Sequence, residues 1–180
     1  ISLGNYSLTA TVSGAASKVA GVVSGTGALT KSGSGELVLT ASNTYEGATS
    51  VEQGTLVVRH DTPSAASSSY GGAGQLVIEP ASSDFSGAFN PADAGFVFDA
   101  DLGGLTIGKV SSADGLTDTN LTLGSNVSIA GPVTLYGGKI SLNANLVSTD
   151  ESSAILVKAS KAIELAADVT IQTDAGDITL

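Results

Sequence analysis

The chain has 180 residues, 42% of them hydrophobic and only 13% charged, with 17 Asp and Glu against 7 Lys and Arg for a net charge of −10. That acidity argues against nucleic acid as a partner, because phosphate binding needs clustered Lys and Arg, and it disfavours anionic lipid surfaces for the same reason. With no cysteine there are no disulfides, thiolate metal sites or cysteine nucleophiles, and the hydrophobic fraction is too high for a disordered linker.

Residues 1–58 alternate between apolar and polar positions, as in Leu8, Ala10 and Val12, or Leu37 and Leu39. Glycines and polar residues separate these runs, which are short enough for strands and lack helical spacing. Residues 59–101 are less regular, punctuated by Pro63, Pro80, Pro91 and Gly71, Gly72 and Gly74, and they hold all four phenylalanines, Phe85, Phe89, Phe96 and Phe98. These are expected to be irregular coils or a loop excursion. Residues 102–180 return to clean repetition, and the three zones are expected to form one continuous solenoid. Only Ala159–Ala167 could be helical, and Ile163-Glu-Leu165 aligns with strand copies, so it is read as strand.

The repetition is the strongest signal. Leu121–Val127, Ile140–Leu146 and Ile163–Val169 share the order aliphatic, polar, Leu, two small or polar residues, Asn or Asp, aliphatic. A fragment, Ile178-Thr-Leu180, is read as a fourth copy, so the starts lie 19, 23 and 15 residues apart. Units of about this length bury their apolar face only against their neighbours, which defines a solenoid. One unit can be drawn as three strands, Leu121–Leu123, Val127–Ile129 and Val133–Leu135, with corners at Gly124–Asn126, Ala130–Pro132 and Tyr136–Lys139. Stacked in parallel about 4.8 Å apart, such triangular coils make an all-β parallel β-helix with aliphatic side chains inside. Leu142 and Leu165 are assigned inward, and Asn126, Asn145 and Asp168 are assigned to equivalent corners.

The segment from Gly25 to Leu56, and most specifically Leu29-Thr-Lys31 through Gly33, Gly35, Leu37, Leu39, Asn43-Thr-Tyr45 and Gly47, closely resembles the autotransporter-associated β-strand repeat of bacterial surface exoproteins. The later zone, from Leu105–Gly108 through Ile129–Gly138, looks like the shaft of filamentous-haemagglutinin-type exoproteins. The resemblance implies a right-handed, single-stranded β-helical stalk, exported by an autotransporter or two-partner route through an outer-membrane transporter and displayed on the bacterial outer surface. It further implies a role in adhesion, haemagglutination, biofilm formation or contact-dependent competition, with a surface receptor or glycan as partner. No stretch approaches 18 consecutive apolar residues, so no membrane span is expected in this segment. The chain opens at Ile1 without a basic leader and closes just as a repeat begins, so both ends are expected to be internal to a longer polypeptide.

Candidate chemistry is sparse, and no catalytic, metal or cofactor residue is assigned. His60 is the only histidine, beside Arg59 and Asp61, but there is no G-x-S-x-G elbow, so a polar corner is the simpler reading. Asp99 and Asp101, two apart in an extended stretch, could face one side and serve Ca²⁺ or a glycosidase, as in a carbohydrate-active β-helix; solvated loop carboxylates are the simpler reading. Asn5, Asn120 and Asn126 lie in N-x-S/T sequons, a match close to chance in a chain so rich in Ser and Thr. Thr9-Ala-Thr11 suggests an ice-binding face, but Glu164 breaks the threonine ladder expected at Thr122, Ser141 and Thr179.

Overall fold

The computed structural model describes residues 1–59, 68–111 and 115–180, in strands joined by turns, bends and irregular stretches, with no helix among them. The chain winds through about eight turns of a parallel β-solenoid. Each turn passes three walls in a fixed order, and like residues of successive turns meet in columns.

One wall runs without a break. Its strands Ser17–Val19, Glu36–Leu39, Thr55–Arg59, Gln75–Glu79, Leu105–Ile107, the first half of Val133–Leu142, the first half of Ile155–Leu165, and Ile178–Thr179 pair in sequence. The register places Leu37, Leu56, Leu76, Leu105, Val133, Ile155 and Ile178 in one inward column. Leu56, Leu76, Val133 and Ile155 are all at most 1% exposed. Alternation explains this: in an extended chain every second side chain faces inward, so Val58, Ile78, Ile107, Leu135 and Val157 form a second buried column beside the first.

The wall that precedes it in each turn is in two pieces. Leu8–Thr11, Leu29–Ser32, Thr49–Val51, Ser68–Gly71 and Phe96–Phe98 pair in one sheet; Val127–Ile129, Leu146–Ser148 and Ile171–Thr173 pair in another. No ladder joins Phe96–Phe98 to Val127–Ile129. The third wall is built from Ser24–Gly25 beside Thr44–Tyr45, and later from Leu121–Leu123 stacked on the second halves of the two long strands. Phe89 bridges to Leu121 at the start of that later stack.

The break coincides with a change in rung length. Early turns take about twenty residues (Leu8 beside Leu29, Leu29 beside Thr49), but Leu76 pairs with Leu105 and Leu105 with Val133, adding eight or nine residues to each turn. The extra chain forms the 80–95 excursion and, after Ile107, a segment whose Val110–Ser111 and Gly115–Leu116 strands pair antiparallel. Phe85 and Phe89 stack at 4.1 Å, and Phe89 meets Phe96 edge-on at 6.4 Å, so aromatic volume fills the wider interior.

Three sequence expectations are corrected here. Tyr136–Lys139 is not a turn: Val133–Leu142 is one strand that crosses two walls, with a register shift between Gly137 and Lys139. Gly138 lies against the Asp118 carbonyl so closely that any Cβ there would clash with its oxygen. Ile178–Thr179 stacks on Ile155–Leu156 rather than on Ile163, which removes the anomalous 15-residue spacing. Asp168 is not the corner partner of Asn145: Leu146 pairs with Ile171, so two extra residues enter this corner, and Asp168 takes a left-handed backbone at φ 63°.

Ile163-Glu-Leu165 is strand, as expected, and Leu165 pairs with Leu142. Their burial differs: Leu142 is fully enclosed, whereas Leu165 is 46% exposed because, among the described residues, no strand pairs over it. Leu142→Glu should therefore cost more than about 3 kcal/mol, through an unpaired carboxylate in an apolar interior, and Leu165→Glu less than about 1. Thermal unfolding followed by circular dichroism checks this; equal melting temperatures for the two variants would show the register to be wrong.

Candidate functional site

The Leu29–Gly47 motif is accounted for by what a tight corner must satisfy. Lys31 follows Leu29 at the inward parity of its strand and is wholly buried, between Ala10 and Val51 in register. Its stem lies in the core, and its Nζ donates to the carbonyls of Ser32 (3.1 Å), Gly33 (2.6 Å) and Gln53 (2.9 Å). The Gly33 and Gln53 carbonyls lie at corners beyond the strands, and the Ser32 carbonyl also accepts the Val12 N–H at 2.9 Å, so the ammonium ties two rungs together. Burial pulls the Lys31 ammonium below its ordinary value of 10.5. Gly33 turns the chain there at φ 76°, a conformation open to glycine.

Further along, Asn43 Oδ1 accepts the Val23 N–H of the rung before it at 2.8 Å. The Tyr45 hydroxyl lies 2.7 Å from Thr49 Oγ1, Thr49 lies 3.4 Å from Ser68 Oγ, and Ser68 donates to the Gly47 carbonyl at 2.9 Å. This polar string crosses the interior from one wall to the next with its members satisfied. Gly47 sits where a Cβ would clash with the Gly27 carbonyl, so its rungs approach too closely for any side chain. Burial raises the Tyr45 phenol above 10.0, and burial followed by the neighbouring Tyr45 raises Tyr70 well above it.

Residues 29–58 match the family described as the passenger-associated-transport-repeat. This repeat occupies one sixth of the chain and falls on the residues whose resemblance the sequence displayed. No curated protein and no solved structure matches the chain. Within the passenger-associated-transport-repeat, Lys31, Asn43, Tyr45 and Gly47 all bond to or pack against a neighbouring rung, so the motif encodes stacking.

The candidate chemical residues are scattered. Arg59 Nε pairs with Glu79 Oε1 at 2.6 Å, one rung on, and His60 and Asp61 lie outside the described residues. Asp99 and Asp101 are both exposed and flank Gly71: a Cβ there would meet Asp101 Oδ1 at 2.6 Å and Asp99 Oδ2 at 3.0 Å. The shallow recess beside them, about 190 Å³, is shared with Thr30, Thr49 and Ser50. Among the described residues no three His, Cys, Asp or Glu come together as a metal-binding group.

The sequon asparagines bond to neighbouring rungs where they sit in the stack. Asn126 Oδ1 accepts the Asn145 N–H (3.0 Å) and Asn120 Oδ1 accepts the Lys139 N–H (3.2 Å); Asn145, which is not in a sequon, repeats the corner bond by accepting the Thr170 N–H (2.8 Å). Asn5 lies in an exposed turn. Along the outward face of the interrupted wall the column reads Thr9, Thr30, Ser50, Gly71, so a threonine array lasts two rungs only.

The buried lysine was not apparent from its charge. Its signal was parity: Lys31 stands two residues after Leu29 in a strand whose alternate positions face inward. Lys31→Met keeps the stem and removes the donors, and should cost about 2–3 kcal/mol in chemical denaturation. A second expectation concerns alkaline pH. The unfolded chain releases tyrosine protons near pH 10 while folded Tyr45 and Tyr70 retain theirs, so their stability contribution is complete below pH 10 and is lost above it. Lys31 acts in the opposite sense, but as one group against two. Denaturation midpoints should fall above pH 10, and Tyr70→Phe should flatten that fall.

Proposed function

We propose that this chain is a non-catalytic shaft segment of an autotransporter passenger, displayed on a bacterial surface and serving adhesion. The observation that carries the reading is the unbroken wall from Ser17–Val19 to Ile178–Thr179, combined with the match of residues 29–58 to the passenger-associated-transport-repeat. Hydrogen bonds in that wall run along the solenoid axis, and a continuous aliphatic column lies behind it. Such an arrangement resists bending and stretching, and any number of rungs can be added without changing the cross-section.

Export of an unfolded chain suits this composition, since there is no cysteine to cross-link prematurely. Stacking from one end supplies a folding order, because each rung needs only its neighbour as template. An outer-membrane transporter is the partner during export, and a surface receptor or glycan the partner afterwards. The haemagglutinin-like character of residues 105–138 fits the same role, a stalk that holds a distal binding region away from the cell.

Deleting one whole rung, residues 29–48, from the parent protein should leave export intact and shorten the surface fibre by about 4.8 Å. Three such deletions spread along the shaft give a length difference measurable by electron microscopy of surface fibres. Loss of adhesion with fibre display unchanged would place the adhesive contact in the deleted rung itself and overturn its reading as stalk. So would polysaccharide turnover by the isolated chain that Asp99→Ala abolishes.

A further inference from the structure

The two long turns leave a cleft of about 300 Å³ where the interrupted wall fails to close, between Phe96–Phe98 and the corner Leu123–Val127. Its floor is apolar, because Phe98 and Leu123 have the inward parity of core residues; Phe98 is only partly covered, since no strand pairs over it. Val97, at the rim, is 54% exposed. No lining side chain is ionisable. The nearby Asp93 carboxylate accepts a hydrogen bond from Asn90 Nδ2 at 3.0 Å.

The polar groups at the cleft are both donors and acceptors. Ser68 N–H donates to the Gly95 carbonyl and Asp99 N–H to the Tyr70 carbonyl, so residues 95, 97 and 99 face the paired strand. By the alternation of a parallel ladder, the N–H and C=O of Phe98 point the other way, where they meet no partner among the described residues. Asn126 spends its Oδ1 on the Asn145 N–H, which leaves its Nδ2 amide hydrogens available, and Ser125 holds an exposed hydroxyl at the same corner.

The geometry points to a neutral saccharide as the occupant, one or two sugar rings bound in the breach. A pyranose offers an apolar C–H face for Phe98 and hydroxyls that donate and accept at once, matching the Phe98 backbone pair, Ser125 and Asn126. A charged ligand finds no counter-ion in this lining, and the chain as a whole repels anions at net −10. An extended peptide fits poorly: strand addition needs alternate residues free along the edge, and the Phe96 N–H already donates to the Pro91 carbonyl at 2.9 Å. The volume lies at the small end of ligand pockets, about 300–1,000 Å³, as one or two rings require. This assignment is independent of the shaft reading, since the cleft is the same whether or not the chain serves as a stalk.

Saturation-transfer NMR on the 180-residue chain tests it, with methyl glycosides of glucose, galactose, mannose and N-acetylglucosamine, and with lactose, cellobiose and chitobiose. At least one of these should bind with a dissociation constant of about a millimolar, as expected for a small contact. Ser125→Trp, which blocks the mouth from an exposed corner, should weaken binding at least tenfold while leaving the melting temperature unchanged. Phe98→Ala, checked for folding by circular dichroism, should do the same. Glucuronate and sialyllactose should bind no tighter than their neutral counterparts. Silence from every neutral sugar at about 20 mM, full binding by folded Ser125→Trp, or tighter binding of the acidic sugars would each overturn the proposal.

Discussion

Backbone hydrogen bonds that run along the solenoid axis force every strand to take its register from the rung beneath it. A residue therefore cannot choose its neighbours individually: Leu56 has Leu37 on one side and Leu76 on the other because the ladder puts them there. The interior must then be filled with side chains of similar size, rung after rung, and Leu, Ile and Val meet that demand. Polar groups enter only where the geometry satisfies them. Lys31 serves corner carbonyls, and Thr49 and Ser68 join the string from Tyr45 to Gly47. Ser148 likewise donates to the Gly131 carbonyl at 2.8 Å.

The same constraint explains why the architecture was legible in the sequence. A column must repeat its residue type, so Leu121, Ile140 and Ile163 announce one another from a distance. What the pattern cannot say is which wall a copy belongs to. Ile155-Leu-Val157 and Ile163-Glu-Leu165 read alike, since both are aliphatic at alternate positions, and a single strand carries both around a bend. Local pattern therefore puts Ile178 in the column of Ile163, whereas the ladder puts it in that of Ile155. Asp168 was misaligned because Val169 and Ile171 are interchangeable by type, and only the ladder reveals that Ile171 meets Leu146. Inward parity at Leu165 was read correctly, but burial also needs a rung above.

The candidate site was less legible because it depends on contacts about twenty to forty residues away rather than on local pattern. Asp99 and Asp101 are visible as a pair, yet their shared neighbour is Gly71, known only once Phe96–Phe98 is seen beside Ser68–Gly71. Arg59 finds Glu79 by the same one-rung offset. The prolines, glycines and every phenylalanine gathered in 59–101 are the local signs that this stretch differs physically.

That stretch shows how a solenoid accommodates a longer rung. The extra residues cannot enter a strand without shifting every column above it, so they leave at corners, and the unbroken wall keeps its register through Leu76, Leu105 and Val133. The interrupted wall bears the consequence: its ladder stops, and its ladder hydrogen bonds are replaced by other contacts. Asp84 of the first long turn accepts the N–H groups of Asp118 and Thr119 in the second, and Asp118 is held in turn by Lys161 at 2.8 Å and by Ser160. Those two bonds, Lys161 first, keep the Asp118 carboxyl below its ordinary value. Stacked Phe85 and Phe89 fill the widened interior behind this tie. A ladder bond saturates both strands, whereas a side-chain tie and an aromatic plug leave strand edges open, so the residues that widen the rung are also those that leave the Phe98 backbone unpaired.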